Sequence, residues 1–343
     1  MAVKKEILQP IKYGFPNFTS DSSCINLCDS NKLIISDIWG FWDYVIKKNG
    51  VEKIFMSSLL EQAKFFYEAA EKSPIKSQPL LYYYSFLNFA KIVINLKMKY
   101  GKCIYNHGIT QARGNNKFSN AEISIMKLKL DTKNVSAELE KVLNEKDISS
   151  NLSLNVKQLL NHCVGIHRTY SEIYNQKEVF YRIMNEELIK YGRELIFKAE
   201  VKCSREDIVT LESQGYTLRT EEGKTKVIES YIMPSSRVTR KCYYELARIL
   251  RDKGIWYYIG TNGYVNYLSA SNISRYSPEF IIYNVMFYLG SITRYYPYLF
   301  DEIFSAKEQW LMGEFLTTQP KQFIYLTTAK ILSQDVLKAY ADF

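Results

Sequence analysis

At 343 residues the chain has room for one large domain or two ordinary ones. Hydrophobic residues make up 47% and charged residues 24%, the balance of a folded globular protein, which excludes a largely disordered chain. The net charge of +9 favours anionic partners, yet no run of five or six basic residues concentrates it, so a general lysine excess accounts for it equally well.

Six cysteines stand at 24, 28, 103, 163, 203 and 242, with no CxxC pair, as expected of reduced thiols and not of a disulfide framework. The N-terminal MAVKKEILQPIKYG has no apolar signal core, and no run of 18 apolar residues occurs. A cytoplasmic protein without membrane association is the expectation. Tyr at 28 and Phe at 18 are over-used. Each tyrosine buries a ring but needs a hydroxyl partner, which suits a core with polar seams or a surface that stacks on something. AT-rich coding produces the same excess.

In chain order, residues 1–50 are irregular, apart from a short helix over SDIWGFWDYVIKK (36–48) capped by Ser36 or Asp37. SSLLEQAKFFYEAAEK follows, with Ser58 and Glu61 at capping-box spacing and Ser73-Pro74 as its end. QPLLYYYSFLNFAKIVINL (78–96) predicts a long helix with Pro79 in its first turn and a stop at Gly101. A polar loop spans 111–120, and EISIMKLKL (122–130) alternates as a strand does. Short helices are predicted over 135–146 and 153–163, a strand over 193–201, and a hairpin over 216–232. Residues 237–254 predict a helix, and IWYYIGTNGYVNYL (255–268) a hairpin turning at Asn262-Gly263. SPEFIIYNVMFYLGSITRYYP (277–297) predicts a third apolar helix, capped by Ser277, and the remainder predicts two or three shorter helices.

These elements define an α+β protein. A predominantly helical bundle core is expected from 51–110 and 236–343, with a mixed α/β region carrying β-hairpins inserted over 111–235.

The helix at 78–96 raises the functional question. Ser85, Asn88, Lys91 and Asn95 fall within an arc of about 120° on an otherwise apolar cylinder. Asn284, Ser291 and Arg294 share a side of the late helix. Two apolar helices with thin polar seams can face each other and line a cleft. A buried lysine or arginine there needs a carboxylate or an anionic ligand. A solvated edge, or buried hydrogen-bonded groups that fix register, explains the same pattern.

The segment QPLLYYYSFLNFAKIVINL, followed by NHGI at 106–109 and by ITRYYP at 292–297, resembles the YaaC-like family of bacterial proteins. The resemblance covers about 55–110 and 236–320. It implies recurrence of Lys91, of His107 with Gly108, and of Arg294 with Tyr295. It supports the split of the fold and this choice of site, and points to bacterial accessory or anti-phage defence components. It carries no reaction with it.

Lys91, His107 and Arg294 are the candidate catalytic set, with Ser85, Asn88 and Asn284 as binding residues beside them. Histidine can serve as acid or base while Lys and Arg steady phosphate charge. The Arg–His pairing of HEPN-type RNases is absent. So are GxSxG, HExxH, GxGxxG and the GxxxxGK[ST] phosphate loop. No cofactor is expected. His162, Cys163 and His167 in HCVGIH lack further ligands at zinc spacing, so no metal is expected. SRVTRK with ARILRDK (236–253) is the densest basic stretch, and Arg240, Arg248 and Arg251 there, interleaved with Tyr243, Tyr244, Trp256 and Tyr257, suit phosphates and bases. A basic surface helix over a tyrosine-rich core fits equally.

Nucleic-acid association through this region is the first expectation. A scaffold that binds a protein partner or a second copy is the next, and an RNase-like, phosphate-directed enzyme at Lys91, His107 and Arg294 is the third.

Overall fold

The computed structural model describes residues 32–49, 52–100, 103–111, 117–128, 132–148, 150–191, 194–202, 205–220, 226–234, 249–260, 263–269, 276–332 and 335–339. Along the chain run β1 (Lys32–Ile35), α1 (Ile38–Asn49), α2 (Lys53–Lys72), α3 (Gln78–Met98), β2 (Ile104–Asn106), β3 (Ile109–Gln111) and β4 (Glu122–Ile125). Then come β5 (Thr132–Asn134), α4 (Val135–Asn144), β6 (Leu152–Asn155), α5 (Val156–Asn161), α6 (His167–Tyr174), β7 (Phe180–Tyr191), β8 (Glu194–Val201) and α7 (Arg205–Ser213). The last are β9 (Thr217–Thr220), β10 (Lys226–Pro234), β11 (Ile255–Gly260), β12 (Gly263–Ser269), α8 (Pro278–Tyr295), α9 (Pro297–Ser305), α10 (Glu308–Leu332) and β13 (Asp335–Lys338). The α+β class with a helical core is the observed one.

The chain divides into two compact units. One comprises Ile34–Lys177 with Tyr276–Thr328, and the other Glu178–Arg275 with Ala329–Leu337. The inserted piece is therefore not 111–235. Residues 111–177 go with the helices because α4 packs on α3 and α8, and α5 packs on α8. The hairpin β11–β12 goes with the inserted sheet because β12 pairs with β7, Leu268 opposite Tyr181.

In the helical unit, α3 sits centrally, against α2, α4 and α8. Pro79 is tolerated in its first turn, where the N–H has no intrahelical partner. The helix ends at Met98, and Gly101, the expected stop, lies outside the described residues. Lys99 takes the left-handed conformation at φ 51° and its N–H closes on the Asn95 carbonyl. The aromatic excess is spent in this core: Phe86 stacks on Phe323 at 4.1 Å, and Trp42 meets Phe89 edge-on at 4.9 Å. Trp42 is fully buried and its Nε1–H donates to Thr328 Oγ1 at 2.9 Å, so the polar atom is satisfied.

Of the two candidate caps for α1, Asp37 is the one used, its Oδ1 accepting from the Trp39 and Gly40 amides. Two local expectations change. Helix α2 begins at Lys53, five residues before Ser58, whose hydroxyl donates back to the Ile54 carbonyl and forms no capping box. Among the described residues the segment after α8 holds two helices, within the expected number, but the second, α10, is long and not short, running through Pro320 because its buried face outweighs one lost hydrogen bond. Ser277 does cap α8, accepting from the Phe280 amide at 3.2 Å.

The other unit is a six-stranded antiparallel sheet ordered β11–β12–β7–β8–β10–β9. Both predicted hairpins are present in it. Strand β7 was not predicted. A register shift between Met184 and Glu187, with Asn185 at φ 52°, breaks the alternation by which a strand is recognised. Ile183, Phe197, Val201, Leu211, Leu250, Ile255 and Leu268 form the core of this unit. No described helix is long and apolar enough to cross a membrane.

Candidate functional site

A cavity of about 560 Å³ opens between α3, α8 and the β2–β3 segment of the helical unit. Helix α3 contributes Leu80, Tyr83 and Tyr84, and the β2–β3 segment contributes His107, Ile109, Thr110 and Gln111. Phe287, Gly290, Ser291, Arg294 and Tyr295 come from α8, with Tyr296 just beyond it. The floor is apolar and the mouth polar, the usual make-up of a small-molecule site.

Gly290 sets the approach of the two helices. A Cβ there would lie 3.2 Å from Tyr83 Cβ and 3.3 Å from the Pro79 carbonyl oxygen, so a larger residue would push α8 from α3. An isolated glycine within an apolar helical pattern is the signal that the sequence offered for this contact.

The NHG turn places His107. Asn106 Oδ1 accepts from the Gly108 amide at 2.9 Å, closing a turn around the histidine. Gly108 has φ +67°, in the left-handed region. Asn134 packs against it, its Nδ2 donating to the carbonyls of Gly108 at 2.9 Å and Met126 at 2.7 Å. The Oδ1 of the same asparagine caps α4 by accepting from the Ala137 amide. Parallel pairing of β2 with β5 brings Asn106 beside Asn134. The histidine is thus presented from a rigid turn, its ring 6.3 Å from that of Phe287.

Arg294 lies at the exposed end of α8. Its Nη1 donates to the Tyr84 hydroxyl at 3.0 Å and its guanidinium lies over the Tyr295 ring at 4.9 Å. Among the described residues no carboxylate pairs with Arg294 or Lys91, and none lines the cavity. Ser291 donates to Gln111 Oε1 at 3.0 Å across the cavity wall.

Lys91 does not line the cavity. It lies seven residues beyond Tyr84 on α3, hence on nearly the same face. Burial lowers the Lys91 pKa. Partial withdrawal from water, and after it the charge of Lys91, holds His107 below the usual imidazole value. His107 is therefore neutral near pH 7, with Lys91 near one side and Arg294 across the same cavity.

The structure thus brings His107 and Arg294 to one cavity with Lys91 acting on His107. The other predicted binding residues turn elsewhere. Ser85 donates to the Ala63 carbonyl at 2.7 Å and Asn88 Nδ2 to Gln62 Oε1 at 3.2 Å, so both tie α3 to α2. Asn284 accepts from Ser136 Oγ at 3.0 Å, towards α4. The polar stripe of α3 is split between two neighbours because one helix meets α2 and α8 on different sides. Arg240 and Arg248 lie outside the described residues. Arg251 is 3% exposed, and Trp256 and Tyr257 are buried, so these three present no open face to a phosphate chain. Sequence reasoning missed Tyr84 and Gln111. Tyr84 carries a periodic signal, its seven-residue spacing from Lys91, and Gln111 carries none.

HCVGIH is a buried seam. His162 Nδ1 sits 2.8 Å from the Gln158 carbonyl and Cys163 Sγ donates to Gln319 Oε1 at 3.4 Å. Among the described residues no cluster of three His, Cys, Asp or Glu side chains could hold a metal ion.

Curated proteins and solved structures give no match to the chain. The family model described as YaaC-like Protein matches residues 40–331, spanning α3, the NHG turn and α8 alike. With most of its length covered by that match, the chain belongs to the YaaC-like protein family.

Proposed function

We propose that the protein binds a phosphate-bearing ligand in the α3–α8 cavity, with Arg294 and Lys91 supplying positive charge and His107 an uncharged imidazole. The observation that carries this reading is Arg294, held by Tyr84 and Tyr295 at a cavity lined by no described carboxylate. An oriented guanidinium without an internal counter-ion favours an external anion. The net charge of +9 draws anions towards it. Placed beside such a ligand, the neutral imidazole can take or give a proton while the two cations hold phosphate charge.

Isothermal titration of the full chain with inorganic phosphate and pyrophosphate tests the reading. Saturable binding that weakens at least tenfold in Arg294→Ala, and also weakens in Lys91→Met, is the expected result. Absence of binding to either anion in the parent protein would remove it. The basic stretch 236–253 draws no support as a nucleic-acid surface from its described part, since Arg251 is buried.

A further inference from the structure

We infer that the ligand of this cavity is a mononucleotide: one nucleobase on the aromatic floor and wall, one phosphate at Arg294. The inference rests on the phosphate-binding reading above and adds the other half of the ligand. Phosphate alone would need the cations and nothing else, yet most of the cavity is not cationic. Tyr83 and Phe287, buried with ring centroids 5.3 Å apart, form an apolar floor. Tyr295 and Tyr296 stand at the rim, 61% and 42% exposed, although both line the cavity. Exposed rings beside an apolar floor offer faces on which a flat heteroaromatic base can stack.

The opposite wall supplies an edge reader. Ser291 donates to Gln111 Oε1 at 3.0 Å, which orients the amide and leaves its Nε2 hydrogens available to donate. Thr110 adds an exposed hydroxyl beside it. A simple aromatic ring gives such groups nothing to bond, whereas a nucleobase presents donors and acceptors along its edge. Size selects a single unit: about 560 Å³ falls within the roughly 300–1,000 Å³ that takes one small-molecule ligand. Phosphate at Arg294 and base against Tyr296 use both the charged and the aromatic parts of the lining.

The test compares the four ribonucleoside 5′-monophosphates, ribose 5-phosphate, inorganic phosphate, the free nucleosides and a 5′-phosphorylated dinucleotide in direct titrations of the full chain. At least one mononucleotide should bind tenfold or more tighter than ribose 5-phosphate and than its own nucleoside. Tyr296→Leu, at a position 42% exposed, should lower mononucleotide affinity more than ribose 5-phosphate affinity. Equal binding of ribose 5-phosphate and every mononucleotide would overturn this inference and leave the phosphate reading standing. A nucleoside binding as tightly as its monophosphate, or no binding by any phosphate compound, would overturn both. A dinucleotide more than tenfold tighter than the best mononucleotide would replace the free mononucleotide by the end of a strand.

Discussion

Replacing Gly108 by alanine strikes the turn that presents His107, and the structure allows its cost to be worked out. A Cβ on Gly108 would fall 2.1 Å from Asn134 Cγ and Nδ2, closer than any real contact, so the Asn134 side chain must leave. With it go two hydrogen bonds to the Gly108 and Met126 carbonyls and the cap on α4. At about 1 kcal/mol for each hydrogen bond and about 1 kcal/mol for the cap, the loss is about 3 kcal/mol. The left-handed φ of +67° adds about 1–2 kcal/mol for a residue with a Cβ. Gly108→Ala should therefore destabilise the protein by about 4–5 kcal/mol, and Asn134→Ala alone by about 3 kcal/mol. The double variant should cost no more than Gly108→Ala alone, because the same bonds are lost once, a coupling of about 3 kcal/mol. Urea unfolding of the four proteins followed by fluorescence measures this cycle. Additive effects, or a loss below about 1.5 kcal/mol for Gly108→Ala, would refute the claim that Asn134 locks the turn.

Other predictions follow from the same structure. Burial, and after it the charge of Arg168, push His167 down to about 4, so the folded chain keeps it neutral while the unfolded chain protonates it near 6.5. Stability should therefore fall as pH drops from about 6.5 to about 4, by up to about 3 kcal/mol from this group, and His167→Gln should flatten that slope in urea midpoints taken at several pH values. Gly290→Ala should cost about 1–3 kcal/mol through overpacking against Tyr83 and Pro79. It should also weaken phosphate binding, since Gly290 lines the cavity; unchanged stability and binding would show that α3 and α8 have slack there. Sulfate, which keeps its charge, should bind more tightly as pH falls from 7 through the lowered range in which His107 takes up its proton. The cause is protonation of His107, whose added charge is worth about 1 kcal/mol or more at close range, about fivefold in affinity. His107→Ala should abolish that pH dependence in calorimetric titrations.

What the sequence determined by itself was local. Apolar runs of helical length, with Pro79 and Ser277-Pro278 at their starts, marked α3 and α8, because the first turn of a helix accepts proline and rewards a hydroxyl cap. The two hairpins were legible because glycine and asparagine supply backbone conformations that other residues resist, whereas the turn at Asn106–Gly108 emerged only in the structure. Periodicity also showed that α3 carries a polar stripe. It did not show where each member points, since one helix has several neighbours and the sequence gives no record of which stands where. Tertiary packing sent Ser85 and Asn88 to α2, Asn284 to α4, and Lys91 towards His107. It also brought Arg294 beside Tyr84, 210 residues earlier in the chain. Tertiary structure likewise moved the boundary of the inserted unit, because strand pairing across β7 and β12 joins segments that composition separates. Periods along a chain report which faces are apolar. The meeting of two faces depends on long-range packing, and the cavity exists only there.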